Sequence, residues 1–135
     1  MIAYFWVAIG GALGSVGRFW LNGIVSATKA GETFPWGTML VNVSGSFLIG
    51  VLAALTIPEG PMDSKSRAFT MQFLIYGICG GYTTFSSFSV QTLNLLQHRQ
   101  WLHAGGNVLL SIVLCLGAVW LGWLLGSTFN AMKGN

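Results

Sequence analysis

The chain has 135 residues, of which 53% are hydrophobic and 7% charged, and its mean hydropathy is +0.68. Soluble globular domains carry about one quarter charged residues, so this composition excludes an ordinary soluble protein and indicates a membrane protein. The net charge of +3 comes from cations that are scattered along the chain rather than clustered, which argues against a nucleic-acid partner.

Four apolar segments occupy nearly the whole sequence, since a membrane-spanning helix needs about 20 residues. We predict spans at residues 2–25, 36–57, 68–96 and 102–129, which form one all-α transmembrane domain over residues 1–135. The third predicted span is longer than a bilayer requires unless the helix is tilted or broken.

The first predicted span carries small residues and one charge. Gly10 and Gly14 lie on one helix surface, which favours close packing against another helix in lipid. Arg18 is the only charged residue well inside an apolar segment, and such a group either serves function or extends to the interface. We expect Arg18 to have a vestibule or structural role.

The second predicted span contains a polar stripe, because Thr38, Asn42 and Ser46 recur every four residues. Such residues either bond to neighbouring helices or line a site, and for Thr38 and Ser46 both alternatives stay open. An asparagine amide is more costly to bury and offers donors and an acceptor, so Asn42 is favoured as a site residue.

The third predicted span contains a stretch that a membrane helix should not tolerate, from Gly77 to Ser89, with three glycines among its small and hydroxyl residues. Backbone broken at membrane depth survives only where protein buries it or an aqueous cavity reaches it. We place the break at residues 80–84 and expect a functional site there. Carbonyl groups freed by the break would suit a cation, whereas the helix N-terminus that follows would favour an anion.

Phe85 and Phe88 follow the predicted break and share one helix face. Aromatic pairs on a helix usually serve packing. The edge of a phenyl ring is electropositive, however, so two ring edges beside serine hydroxyls offer weak attraction to an anion.

The fourth predicted span has a second polar stripe, formed by Asn107, Ser111 and Cys115. The three acidic residues, Glu32, Glu59 and Asp63, all fall in predicted loops. A proton-coupled carrier normally needs a titratable group within the membrane, so passive conduction is the better class. No catalytic triad or metal-ligand cluster can be assembled, and we do not predict an enzyme.

The orientation signal is weak. An even number of spans places both termini on one side, with Lys65, Arg67 and Lys133, against Lys29 and Arg99 on the other side. Three cations against two give almost no preference, which is compatible with insertion in both directions and with an antiparallel dimer that brings two broken third spans together.

Two motifs closely resemble the CrcB/Fluc family of bacterial fluoride channels. They are Trp36-Gly-Thr-Met-Leu-Val-Asn-Val-Ser-Gly-Ser-Phe-Leu-Ile-Gly50 and Gly80-Gly-Tyr-Thr-Thr-Phe-Ser-Ser-Phe-Ser89. The glycine-rich first span ending in Gly17-Arg18 fits as well, and the resemblance covers essentially the whole chain.

The resemblance implies a dual-topology homodimer of four-helix subunits in the bacterial inner membrane, with two pores that pass fluoride out of the cell. It implies an ion path along Phe85, Phe88, Asn42 and Ser111, with Thr38 a weaker candidate. It also implies a structural sodium ion at the dimer interface, held by main-chain carbonyls of Gly80 and Thr83, and it matches Arg18 to an arginine near the vestibule.

The chain departs from the family pattern at three positions: Tyr82 replaces a common leucine, Ser87 a common threonine, and Cys115 a common serine or threonine. The first two departures keep the break and a hydroxyl, whereas Cys115 puts the end of the polar track in doubt. Two alternatives stay open, a small multidrug-type proton-coupled antiporter and a non-transporting membrane subunit. Selectivity for fluoride follows from the resemblance and not from residue spacing.

Overall fold

The computed structural model describes residues 1–57 and 62–133, and every secondary-structure element within those ranges is helical. The predicted all-α fold is therefore confirmed. The elements, in chain order, are α1 (Ile2–Ser26), α2 (Lys29–Thr33), α3 (Trp36–Leu55), α4 (Ser64–Phe69), a π-helix (Thr70–Cys79), α5 (Gly80–Tyr82), α6 (Phe85–Gln97) and α7 (Trp101–Lys133).

Three helices of the described chain are long and apolar enough to cross a membrane: α1, α3 and residues Trp101–Met132 of α7. The protein is accordingly a multi-pass membrane protein. Residues 64–97, which include the third predicted span, are divided among shorter helices. The last helix extends to Lys133, beyond the predicted end of the fourth span at residue 129.

The helix α1 runs parallel to the π-helix and α5, and the two backbones meet through glycines. A methyl group on Gly10 would lie 2.9 Å from the Cα atom of Gly77, and one on Gly14 would lie 2.8 Å from the Tyr82 nitrogen. Neither position has room for a side chain, because the neighbouring atoms belong to the backbone and cannot rotate away. The predicted glycine packing face of α1 is therefore the surface on which the π-helix rests.

The helices α3 and α7 form the second close pair and also run parallel to each other. A methyl group on Gly50 would lie 3.0 Å from the Trp123 nitrogen, and one on Gly122 would lie 3.1 Å from the Val51 nitrogen. Since helix association in lipid depends on van der Waals contact rather than on expulsion of water, such close approach is a main source of stability.

The helical backbone is interrupted at Thr83 and Thr84, between α5 and α6. Both residues are extended, with φ and ψ of −76° and 157° at Thr83 and of −152° and 117° at Thr84, and the helix resumes at Phe85. The interruption lies against α1 on one side and α3 on the other, through contacts to Arg18 and Asn42.

A substitution at Gly14 tests the close packing of α1. We expect Gly14→Ala to destabilise the folded protein by about 1–3 kcal/mol, because the added methyl group must displace backbone of the adjoining helix. The measurement is the temperature at which the detergent-solubilised protein leaves the folded peak in size-exclusion chromatography. The matched control is Gly11→Ala on the same helix, where an added methyl group has no atom within 4 Å; an equal loss in both variants would contradict the packing argument.

Candidate functional site

A cavity of about 460 Å³ lies beside the interruption, between α3, α6 and α7. Its wall contains two phenyl rings and a set of polar side chains. The rings are those of Phe85 and Phe88, and the polar residues are Asn42, Ser46, Thr83, Thr84, Ser111 and Cys115. The structure thus brings together residues that the sequence singled out on three different segments.

Asn42 pairs with the interrupted backbone through both ends of its amide. Its Nδ2 donates to the Thr84 carbonyl at 3.0 Å, and its Oδ1 accepts from the Thr84 N–H at 2.8 Å. In a continuous helix the Thr84 N–H would bond to the Gly80 carbonyl. The Asn42 side chain therefore replaces, from a neighbouring helix, the hydrogen bonding that the interruption removes.

The first turn of α6 is capped by Thr84. The Thr84 hydroxyl oxygen accepts from the Ser87 N–H at 3.2 Å, and the hydroxyl lies 3.1 Å from the hydroxyls of both Ser86 and Ser87. An N-cap of this kind satisfies one of the free N–H groups at a helix start. The cap fixes the position at which α6, the helix that carries both phenylalanines, begins.

The two phenyl rings lie together at the start of α6. The centroids of Phe85 and Phe88 are 5.3 Å apart, and their planes are inclined by 44°. Phe85 is 78% exposed in the single subunit, so its ring is not held by core packing. The Phe88 carbonyl accepts from the Thr92 hydroxyl at 2.8 Å.

Asn107 links this part of α6 to α7 through a hydrogen bond. It is 2% exposed, and its Nδ2 donates to the Thr92 hydroxyl at 2.8 Å. The sequence placed Asn107 on the same stripe as Ser111, but Asn107 does not line the cavity. Its amide instead continues the hydrogen-bond chain that ends at the Phe88 carbonyl, a role that residue spacing alone does not reveal.

Two serines face the cavity without partners among the described residues. Ser111 on α7 is 8% exposed, and neither Ser111 nor Ser46 makes a hydrogen bond within residues 1–57 and 62–133. Their hydroxyls are therefore free to contact whatever occupies the cavity. Thr38 is also buried and its hydroxyl has no partner in the described part of the chain, but Thr38 is not part of the cavity wall.

The helix α1 contacts the opposite side of the interruption. Arg18 is half-buried, and its Nη1 donates to the Thr83 carbonyl at 3.3 Å, while the Ser15 hydroxyl donates to the Gly81 carbonyl at 3.4 Å. These carbonyls lie at the C-terminal end of a helical segment, where partial negative charge accumulates. The positively charged guanidinium group is stabilised by this negative end of the helical segment. Arg18 therefore lies at the interruption.

Tyr82 adds a further contact that the sequence did not predict. Its hydroxyl lies 2.9 Å from the Ser44 hydroxyl on α3. A leucine at this position could not form this bond. The Tyr82 hydroxyl thus links α5 to α3.

The main-chain carbonyls of Gly80 and Thr83 fit a sodium ion only in part. The Gly80 carbonyl has lost its helical partner, because the Thr84 N–H bonds to Asn42, and an unpaired carbonyl is a suitable ligand for a hard cation. The Thr83 carbonyl, by contrast, already accepts from the cationic Arg18. Within the described part of a single subunit, the Gly80 carbonyl thus has no hydrogen-bond partner, whereas the Thr83 carbonyl accepts from a positively charged side chain.

The polar groups in the cavity wall are hydroxyls, an amide and a thiol, and they lie beside two phenyl rings. None of α1, α3, α6 and α7 contains an aspartate or a glutamate, and the described residues include no cluster of three metal-ligating side chains. Hydroxyl groups and phenyl edges can contact an ion without holding it tightly. The fold and site define a multi-pass helical membrane protein with a small hydroxyl-lined and phenyl-lined cavity at an interrupted helix.

Comparison with known proteins identifies the family. Residues 5–123 match the model of the CrcB-like protein family, described as Camphor Resistance (CrcB), and the chain belongs to this family. A protein of Opitutus terrae is 57% identical over 135 residues, which cover 100% of both chains. A protein of Methylocella silvestris is 53% identical over 133 residues, 97% of this chain and 98% of the relative. Both relatives are named fluoride-specific ion channel FluC, and the resemblance found in the sequence is confirmed.

Replacement of Asn42 tests its pairing with the interruption. We expect Asn42→Leu to lower the free energy of unfolding by about 1–3 kcal/mol for each backbone group of Thr84 that is left unpaired. The measurement is thermal unfolding in detergent micelles. The control is Ser46→Ala on the same helix and the same cavity wall, which removes no hydrogen bond to a described residue. An Asn42→Leu variant as stable as Ser46→Ala would show that the pairing does not support the fold.

Proposed function

We propose that this protein is a passive ion channel selective for fluoride, which exports fluoride across the bacterial inner membrane and so confers resistance to it. The observation that carries the proposal is the cavity beside the interruption, which joins Phe85 and Phe88 to Asn42 and the unpartnered Ser111 hydroxyl. The names of full-length relatives at 53–57% identity give the ion.

The arrangement of charges around the cavity favours an anion. The cavity lies at the N-terminal end of α6, where a helix carries partial positive charge and where N–H groups lack helical partners. The phenyl edges are also electropositive, and the Ser111 hydroxyl is free to donate. These groups attract an anion, and none carries a full charge that would trap it.

The proposed ion path follows the cavity wall from Asn42 and Ser111 to the ring edges of Phe85 and Phe88. Asn42 already uses one N–H and its carbonyl oxygen on Thr84, so only its second N–H is available to an ion. Thr38 stays a prediction for the path, since it does not line this cavity.

The proposed assembly is an antiparallel homodimer of subunits with four spans, in which residues 64–97 form the broken third span. Two features support this arrangement. Phe85 beside the cavity is 78% exposed in one subunit, which a second copy would cover. The cations of the loops show almost no preference for one side, so both orientations are accessible to the chain.

A structural sodium ion between the two copies is proposed on the strength of the Gly80 carbonyl alone. The Thr83 carbonyl has a second lone pair for such an ion, but its hydrogen bond of 3.3 Å to Arg18 would place a positive charge close to the cation. No step of ion conduction depends on this ion.

The experiment that tests the function is fluoride efflux from liposomes containing the purified protein, followed with a fluoride electrode. We expect fast efflux that is independent of a proton gradient, with no comparable loss of chloride. Efflux driven by a proton gradient would instead indicate an antiporter, and no efflux from correctly folded protein would indicate a non-transporting subunit. Chemical cross-linking in the same liposomes measures whether the protein is a dimer.

The phenylalanine rings are tested by Phe85→Ile and Phe88→Ile. We expect each variant to lower fluoride efflux by about tenfold or more, because isoleucine keeps the apolar bulk but lacks the electropositive ring edge. Size-exclusion chromatography of the same samples should show an unchanged assembly. The control is Phe129→Ile on α7, a phenylalanine that does not line this cavity. Unchanged efflux in both ring variants would remove the rings from the mechanism.

A further inference from the structure

We infer that the Cys115 thiol is a modification site in the wall of the ion path, at which a thiol-binding metal compound such as mercury(II) chloride closes the channel. This inference rests on the proposed function, because it takes the cavity beside the interruption to be the passage for the ion.

The position of Cys115 is the first part of the argument. Cys115 is half-buried on α7 and lines the same cavity as Asn42, Phe85 and Phe88. It makes no hydrogen bond to the described residues, and it is four residues after Ser111, so both side chains lie on one face of α7. An adduct on the sulfur would therefore project into the space beside the rings.

Ser111 supplies independent evidence that the cavity receives a ligand. Its side chain is more than nine-tenths buried, at 8% exposure, yet its hydroxyl has no partner among the described residues and lies in the cavity wall. A polar side chain that is this far buried and has no protein partner for its hydroxyl leaves that hydroxyl to a solute or water in the cavity. A cavity that admits such a solute also gives a small neutral reagent access to the thiol next to Ser111.

The second cysteine of the chain provides a matched comparison. Cys79 is 3% exposed in the π-helix and does not line the cavity. Its side chain is buried within the described fold. The two thiols therefore differ in access to the cavity while sharing the same chemistry.

The modification is a ligand exchange without oxidation or reduction. The thiol of Cys115 loses its proton, the sulfur forms a bond to mercury, and one chloride leaves: R–SH + HgCl₂ → R–S–HgCl + H⁺ + Cl⁻. Sulfur is a soft ligand and the metal is soft, so this bond is favoured over bonds to the hydroxyls nearby. Mercury(II) chloride is uncharged and can enter an apolar passage, and an added dithiol removes the metal.

The experiment uses the full-length protein in liposomes and the fluoride electrode. Wild type, Cys79→Ala and Cys115→Ser are each treated with mercury(II) chloride, and each efflux rate is compared with the untreated rate of the same variant. We expect efflux through wild type and Cys79→Ala to fall by about tenfold or more and to return after a dithiol is added, because the adduct fills the passage. We expect the Cys115→Ser rate to stay unchanged by the reagent.

Intact-protein mass spectrometry of the same samples reports the adduct separately from transport. Equal inhibition of Cys115→Ser and wild type would overturn the inference, and so would wild type that carries mercury on Cys115 but conducts at its untreated rate. Failure of mercury to bind Cys115 in folded wild type would also overturn it. If untreated wild type passes no fluoride, the proposed function fails, whereas the mass measurement still decides whether the thiol faces an accessible cavity.

Discussion

The structure depends on the pairing of Asn42 with Thr84. A bilayer core offers no water to an unpaired N–H or carbonyl, so an interrupted helix needs a partner for each backbone group that it frees. The Asn42 amide has a donor and an acceptor at the spacing of a peptide group, and it satisfies the N–H and the carbonyl of the same residue. A serine or threonine in its place could not reach both. The interruption can therefore persist only while α3 is packed against it.

The same pairing determines what the rest of the interruption can do. Because the helix is interrupted after Tyr82, carbonyls at this point lack helical partners, and α1 supplies the Ser15 hydroxyl for the Gly81 carbonyl and the Arg18 guanidinium for the Thr83 carbonyl. On the other side, α6 starts from a capped Thr84 with its positive end toward the cavity. One helical segment thus presents its negative end to α1, and the next presents its positive end to the cavity.

Much of the fold could be predicted from the length of the apolar segments, and part of the site could be predicted from the helical spacing of the polar residues. The all-helical architecture was predictable because runs of about 20 apolar residues have few alternatives in a membrane. Asn42 and Ser46 lie on the cavity as their spacing of four predicts, but Thr38 on the same stripe does not. The spacing of polar residues shows only which face of a helix they share. Which part of that face lines a cavity depends on the positions of the neighbouring helices.

Contacts between distant segments were not predictable in the same way. The acceptor of Arg18 is a carbonyl 65 residues later in the chain, and the hydroxyl bonded to Tyr82 is on a different helix. Neither pairing leaves a periodic signal in the sequence. The ten-residue π-helix at Thr70–Cys79 could likewise not be predicted, since hydrophobic spacing in so short a segment does not distinguish i→i+5 from i→i+4 hydrogen bonding.

Some polar groups around the interruption are hydrogen-bonded to the backbone and others are not, and this difference matters for the proposed conduction. The strongest polar groups there are already engaged: Asn42 with the backbone of Thr84, and the Thr84 hydroxyl with the first turn of α6. In the described part of the cavity wall, the Ser46 and Ser111 hydroxyls and the phenyl edges have no such partners, and each attracts an ion only weakly. A passage must attract an ion enough to admit it and too little to retain it. For the proposed ion path, engagement of the strong groups in holding the backbone leaves the weak groups to face the ion, so the interrupted helix and fast passage are served by one arrangement.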